Sequence, residues 1–120
     1  MAEYRTERAG RLVQEIISAL ILEGRIKDPR VDPFLSITKV NVSGDFSWAE
    51  VYVSRIREEG DISRGVEGLQ SAAGFIQSQL ARTMHVRKIP RLRFHGDRSI
   101  REGFDIIKKI EGLERDGNGQ

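Results

Sequence analysis

The chain has 120 residues, a formal net charge of +2 and no cysteine. That length suits one domain with a single core, and the missing cysteines exclude disulfide frameworks, zinc knuckles and thiol catalysis together. The start carries no apolar core of the signal-peptide kind, and the longest apolar run, 16–22, is broken by Ser18 and too short to cross a bilayer. The expectation is a soluble, cytoplasmic, monomeric protein.

The first element reads as an amphipathic helix. Ala9, Leu12, Val13, Ile16, Ile17 and Leu20 form an apolar stripe at helical spacing. Gly24 is a natural terminator and Pro29 forbids continuation. The segment 26–33, with two Asp-Pro pairs, reads as an extended loop. Two strands follow. Thr38, Val40 and Val42 alternate with Lys39 and Asn41; then Ala49, Val51 and Val53 alternate with Glu50, Tyr52 and Ser54. The turn formers between them, Ser43 to Ser47, predict an antiparallel hairpin, and 57–61 is a charged loop.

A second helical pattern starts near Ser63, an acceptable N-cap, and carries Val66, Leu69, Ala73, Ile76 and Leu80. Gly74 interrupts it at a cost of about 1 kcal/mol relative to alanine, which predicts a kink there. A short third strand has Pro90, Leu92 and Phe94 on one side and Arg91, Arg93 and His95 on the other; its initial proline suits an edge. A helical piece over 99–110, preceded by Asp97 or Ser99 as a cap, and a disordered tail over 113–120 complete the chain. The fold class is α+β: helix, strand, strand, kinked helix pair, strand, with the helices on one face of a three-stranded sheet.

Charge is unevenly distributed. Between Arg82 and Arg101 there are seven Arg or Lys against Asp97, a local +6 that leaves −4 for the remainder. Such a field attracts polyanions. Arg91, Arg93 and His95 repeat about every 6.6 Å along a strand face, a scale on which several nucleic-acid phosphates can be met. Arg82, Arg87 and Lys88 extend the set, and arginine's planar fork suits phosphate. Trp48 and Tyr52 serve either as base-stacking surfaces or as half-buried strand aromatics. Catalysis has little support: His85 and His95 lie on different elements without metal-ligand spacing, and no phosphate-cradling glycine loop is present. Neither a metal nor a cofactor is expected. From the residues alone, the chain is a soluble α+β domain with a basic strand. The outer face of that strand is either a grip for a nucleic-acid backbone or a solvated face without a partner, and the enzyme reading is weak.

Four segments, in order, resemble one known family. Ile26-Lys27-Asp28-Pro29-Arg30 is similar to its loop after the first helix. Residues 37–47 running into 49–54 resemble its hairpin. Ala72-Ala73-Gly74-Phe75-Ile76 resembles its helix–kink–helix centre, with the Ala-x-Gly motif on Ala72 and Gly74, and 89–94 followed by Asp97, Ser99 and Ile100 resembles its last strand. The family is bacterial ribosome-binding factor A, of type II KH-like fold; the resemblance spans about residues 5 to 110, and Val31-Asp32-Pro33 departs from it. It implies a KH-like RNA-binding domain over 1–112 whose grip leans on basic side chains rather than on a Gly-x-x-Gly loop. It also implies a partner, the 30S ribosomal subunit with its 16S rRNA, and a role in late maturation, in 5′ end processing of that RNA and in growth in the cold. The alternative is a general single-stranded RNA-binding module acting on messenger or small RNA.

Overall fold

The structure is a computed structural model that describes residues 2–55 and 62–97. The charged loop over 57–61, the helical piece over 99–110 and the tail over 113–120 lie outside the described residues. The elements run α1 (Ala2–Leu22), β1 (Leu35–Val42), β2 (Trp48–Arg55), α2 (Ile62–Ser71), α3 (Ala73–Thr83) and β3 (Arg91–Gly96). Over the described residues, the predicted order of helix, strand, strand, broken helix pair and strand is the one observed.

Helix α1 buries Ala9, Val13, Ile17, Leu20 and Ile21, leaving Leu12 and Ile16 at the margin of the core. Gly24 stops it at φ +67°. The Gly24 N–H donates to the Ile21 carbonyl and the Arg25 N–H to the Leu20 carbonyl, at 3.1 and 3.0 Å. This left-handed closure satisfies the last carbonyls of the helix and needs glycine's freedom.

The sheet has the order β1-β2-β3. Strands β1 and β2 are antiparallel, and β3 lies parallel to β2 with Glu50 opposite Arg93 and Tyr52 opposite His95. The parallel pairing requires a crossover, which α2 and α3 supply. On β1 the expected alternation breaks at Thr38. Ile37 pairs with Val53 and Lys39 with Tyr52, so Thr38 is an extra, bulged residue. Leu35 and Ile37 are buried ahead of the bulge, and Val40 and Val42 turn inward after it. Instead of facing the core with those valines, Thr38 hydrogen-bonds the Tyr52 carbonyl and the Asp97 carboxylate.

The hairpin closes as expected. The Asp45 carboxylate accepts from the Ser47 N–H and the Ser43 hydroxyl. The first of these contacts does most to hold its pKa down, to about 2 from the ordinary 3.8. A depressed carboxylate stabilises the fold above pH 3.8, and that support is lost as pH falls towards 2. Phe46 follows at φ 60°, a left-handed conformation unusual for an aromatic residue.

The long helical pattern is broken, but at Ala72 rather than at Gly74. Ala72 leaves helical geometry at φ −90°, ψ 6°, and Gly74 is already inside α3. A Cβ added at Gly74 meets nothing within 4 Å, so alanine fits there without crowding the kink. Ser63 likewise sits inside α2 rather than at its cap.

The core lies between the helices and the inner sheet face. Ala49, Val51 and Val53 of β2 are fully buried, facing Leu69 of α2 and Ile76 and Leu80 of α3, which are equally buried; Leu92 and Phe94 of β3 complete the layer. The free edge of β3 is closed by a side chain. Gln70 of α2 donates to the Leu92 carbonyl and accepts from the Phe94 N–H, at 3.0 and 2.9 Å, as a neighbouring strand would. Gln14 of α1 donates to the Ile37 carbonyl beside the bulge.

Two glycines separate packing from propensity. At Gly10 an added Cβ would stand 2.7 Å from the Val40 carbonyl oxygen, where α1 lies against β1. Gly10→Ala is expected to cost about 1–3 kcal/mol, whereas Gly74→Ala should be neutral or stabilising by up to about 1 kcal/mol. Urea melts of the two variants check the difference in sign.

Candidate nucleic-acid interface

With the helices on one side, no element among the described residues covers the other face of the sheet. The strand period places Trp48, Glu50 and Tyr52 of β2 beside Arg91, Arg93 and His95 of β3, with Lys39 of β1 opposite Tyr52. The predicted cations fall into three groups. Arg91, Arg93 and His95 share the outer face; Arg87 and Lys88 are exposed on the loop leading into it; Arg82 sits in the last turn of α3, in the helical layer. The strand and its loop therefore form one surface, and Arg82 belongs to another.

The cations are held over aromatic rings. The Arg93 guanidinium lies 4.2 Å from the Trp48 ring centroid and that of Arg91 5.9 Å away; Lys39 Nζ is 5.0 Å from the Tyr52 centroid. The His95 ring stacks at 5.2 Å on Tyr52. Cation–π contact orients the charge without neutralising it, so the forks remain available to phosphate. Both aromatics are half-buried, covered by the cations beside them. Lys88 Nζ donates to the Ser47 hydroxyl at 3.2 Å, tying the loop to the hairpin.

Glu50 was not among the residues singled out from the sequence. It sits within the basic face, its carboxylate accepting from the His95 Nε2–H and lying 3.7 Å from Arg93. His95 is thus engaged internally, while Arg91 has no acidic partner among the described residues. The polar alternation of β2 placed Glu50 outward; only the parallel register put it opposite Arg93.

The Ala-x-Gly segment lies elsewhere. Arg25, Lys27, Asp28, Ser71, Ala72 and Phe75 border a hollow of about 320 Å³ at the kink, so it carries an acid beside its two cations. Arg30 closes on Asp28 through two side-chain hydrogen bonds of 3.0 and 2.9 Å, which hold the Asp28 pKa down to about 2. It also donates to Ser71, fixing the Asp-Pro-Arg loop to the end of α2.

Residues 5–110 match the family model for ribosome-binding factor A. The chain belongs to that family. It is 51% identical over 114 residues to the ribosome-binding factor A of Treponema denticola, covering 95% of this chain and 86% of the relative. It is 45% identical to that of Treponema pallidum, over 98% of this chain and 93% of the relative. Among solved structures, the crystal structure of ribosome-binding factor A from Thermus thermophilus superposes with a TM-score of 0.63 at 28% identity, covering 78% of this chain and 93% of that one. A homology model of the Thermus thermophilus factor, fitted into the cryo-EM map of a 30S complex, superposes at 0.51 with 28% identity, covering 72% and 93%. The type II KH-like fold expected from the four segments is thus the fold of the family. Among the described residues, no helix is long and apolar enough to cross a membrane.

Glu50 lowers the positive charge of this face. Removing one unit charge about 4 Å from a phosphate in water changes the interaction by about 1 kcal/mol. Glu50→Gln is therefore expected to tighten binding to single-stranded RNA by about fivefold at low salt, as read by fluorescence anisotropy.

Proposed function

We propose that this protein binds the 30S ribosomal subunit in the cytoplasm as a non-enzymatic assembly factor, contacting 16S rRNA and assisting its late maturation and 5′ end processing. The observation that carries the reading is the family match over residues 5–110. Support comes from the Thermus thermophilus relative, which was fitted into the map of a 30S complex. The open sheet face supplies suitable chemistry. Arg91 and Arg93 stand over Trp48, with Arg87 and Lys88 beside them, and their forks and ammonium groups suit backbone phosphates better than base edges. His95 contributes through Tyr52 and Glu50 rather than as a free cation. The Ala72 break and the cations near it add a second candidate contact region.

Sedimentation of tagged protein through a sucrose gradient tests the reading. Co-migration with free small subunits and absence from 70S particles is the expected result; equal affinity for isolated RNA and immature subunits would instead favour a general RNA-binding module. Arg91→Gln and Arg93→Gln should each weaken subunit binding and flatten the slope of log affinity against log salt by about 0.7–0.9. Both variants should stay folded, because exposed charges contribute little to stability. Unchanged affinity and slope in both would leave the basic face without a role.

A further inference from the structure

Among the described residues, a second cationic surface lies behind the hairpin. A groove of about 510 Å³ runs between the first half of α1 and the residues just after α3, a volume within the range of sites that hold small ligands. Arg5, Arg8 and Arg11 line it from α1, one every three residues and therefore along one side of the helix. Its apolar part includes Phe46 from the hairpin and Met84. Glu15 is the acid that lines it, and none of the three arginines has an acidic ion-pair partner among the described residues. Arg5 lies in the first turn of α1, where the helix dipole disfavours a cation, so helix stability does not explain it. The Arg5 guanidinium stands 5.7 Å from the Phe46 ring centroid, and that of Arg8 the same distance from Tyr4.

The groove and the sheet face share a border. Phe46 lines the groove, Trp48 lies under Arg91 and Arg93, and Ser47 between them accepts from Lys88. The segment from Met84 to Lys88 does the same from the other side: His85 and Val86 line the groove, and Lys88 reaches the hairpin. We infer that the RNA strand gripped by the outer face of β3 continues round the hairpin tip into this groove, where the α1 arginines hold its phosphates and one base stacks on Phe46. This rests on the RNA-binding reading proposed above and extends it to a site on the helical side of the domain. Phe46 is half-buried, packed against the core as well as lining the groove, and it holds a left-handed backbone in which glycine or asparagine fits more easily.

The test uses the full chain, a fluorescein-labelled single-stranded oligoribonucleotide and immature small subunits. The variant Arg5→Gln/Arg8→Gln/Arg11→Gln should lower affinity for the oligoribonucleotide by at least about tenfold and flatten its salt slope by about 2, near 0.7 per lost contact. Its melting temperature should hold or rise, since a cation leaves the start of a helix. Phe46→Asn, which tolerates the left-handed backbone, should weaken binding by about fivefold or more with the salt slope unchanged, because stacking is not ionic. If the triple variant binds normally while Arg91→Gln/Arg93→Gln binds weakly, the groove is overturned and the sheet-face reading stands. If Phe46→Asn binds normally, no base stacks there. Weakened subunit binding with unaltered oligoribonucleotide binding would put an acidic protein surface in the groove and also overturn the inference. A wild-type chain that binds neither probe would remove the functional reading itself.

Discussion

Every element of this domain is placed by the need to cover one side of its central strand. Ala49, Val51 and Val53 expose nothing to solvent, although each has a polar or aromatic neighbour pointing the other way along β2. A strand with one dry side and one wet side needs a cover on one face only, and three helices supply it. The hairpin brings β1 alongside, and the α2–α3 pair carries the chain back so that β3 enters parallel to β2. Leu92 and Phe94 then fall under the helices in the same layer. Among the described residues nothing covers the opposite face, and Arg91 and Arg93 of β3 are exposed on it.

Glutamine and glycine make that arrangement possible at close range. Gln70 satisfies the free backbone of β3 from the helical side, so the edge strand is held without a fourth strand. Gly10 lets α1 approach the backbone of β1, and Gly68 lets α2 approach the Asp-Pro-Arg loop, whose Arg30 and Val31 side chains stand 2.9 Å from where its Cβ would be. The loop is in turn fastened by Asp28 and Ser71. These contacts link the kink at Ala72 to the end of α1, so the family's helix–kink–helix centre is supported by packing from a sequence-distant segment.

The open face balances attraction against self-neutralisation. Arginine and lysine stand on Trp48 and Tyr52, which hold them in place while leaving their charge intact. Glu50 subtracts from that charge and engages His95. Guanidinium and ammonium groups held in this way suit the backbone phosphates of a polyanion better than base edges, which is the chemistry the proposed function draws on. The continuity of the face with the α1 groove, through three consecutive hairpin residues, makes the surface longer than a six-residue strand alone would provide.

Much of this was legible in the chain. Period-two alternation identified β2 and β3 with the correct inward residues, because each is a regular strand with one buried face; the helical stripe and Gly24 marked α1 and its end; the density of turn formers marked the hairpin. The basic character of the outer face of β3 followed from the same alternation. Tertiary structure decided the rest. The bulge at Thr38 shifts the alternation of β1 because its partner strand needs one residue fewer, which no single-strand pattern records. The break falls at Ala72, since the direction of the returning chain is set by how α2 and α3 pack rather than by where glycine lowers helix propensity. Glu50 meets Arg93 and His95 only through the parallel register, and Arg5 meets Phe46, with Arg8 and Arg11 lining the same groove, only because α1 crosses behind the hairpin. Local pattern determines which side of an element is dry, since burial repeats with the element's own period; which charges become neighbours depends on register and crossing, and these are settled by packing between segments far apart in the chain.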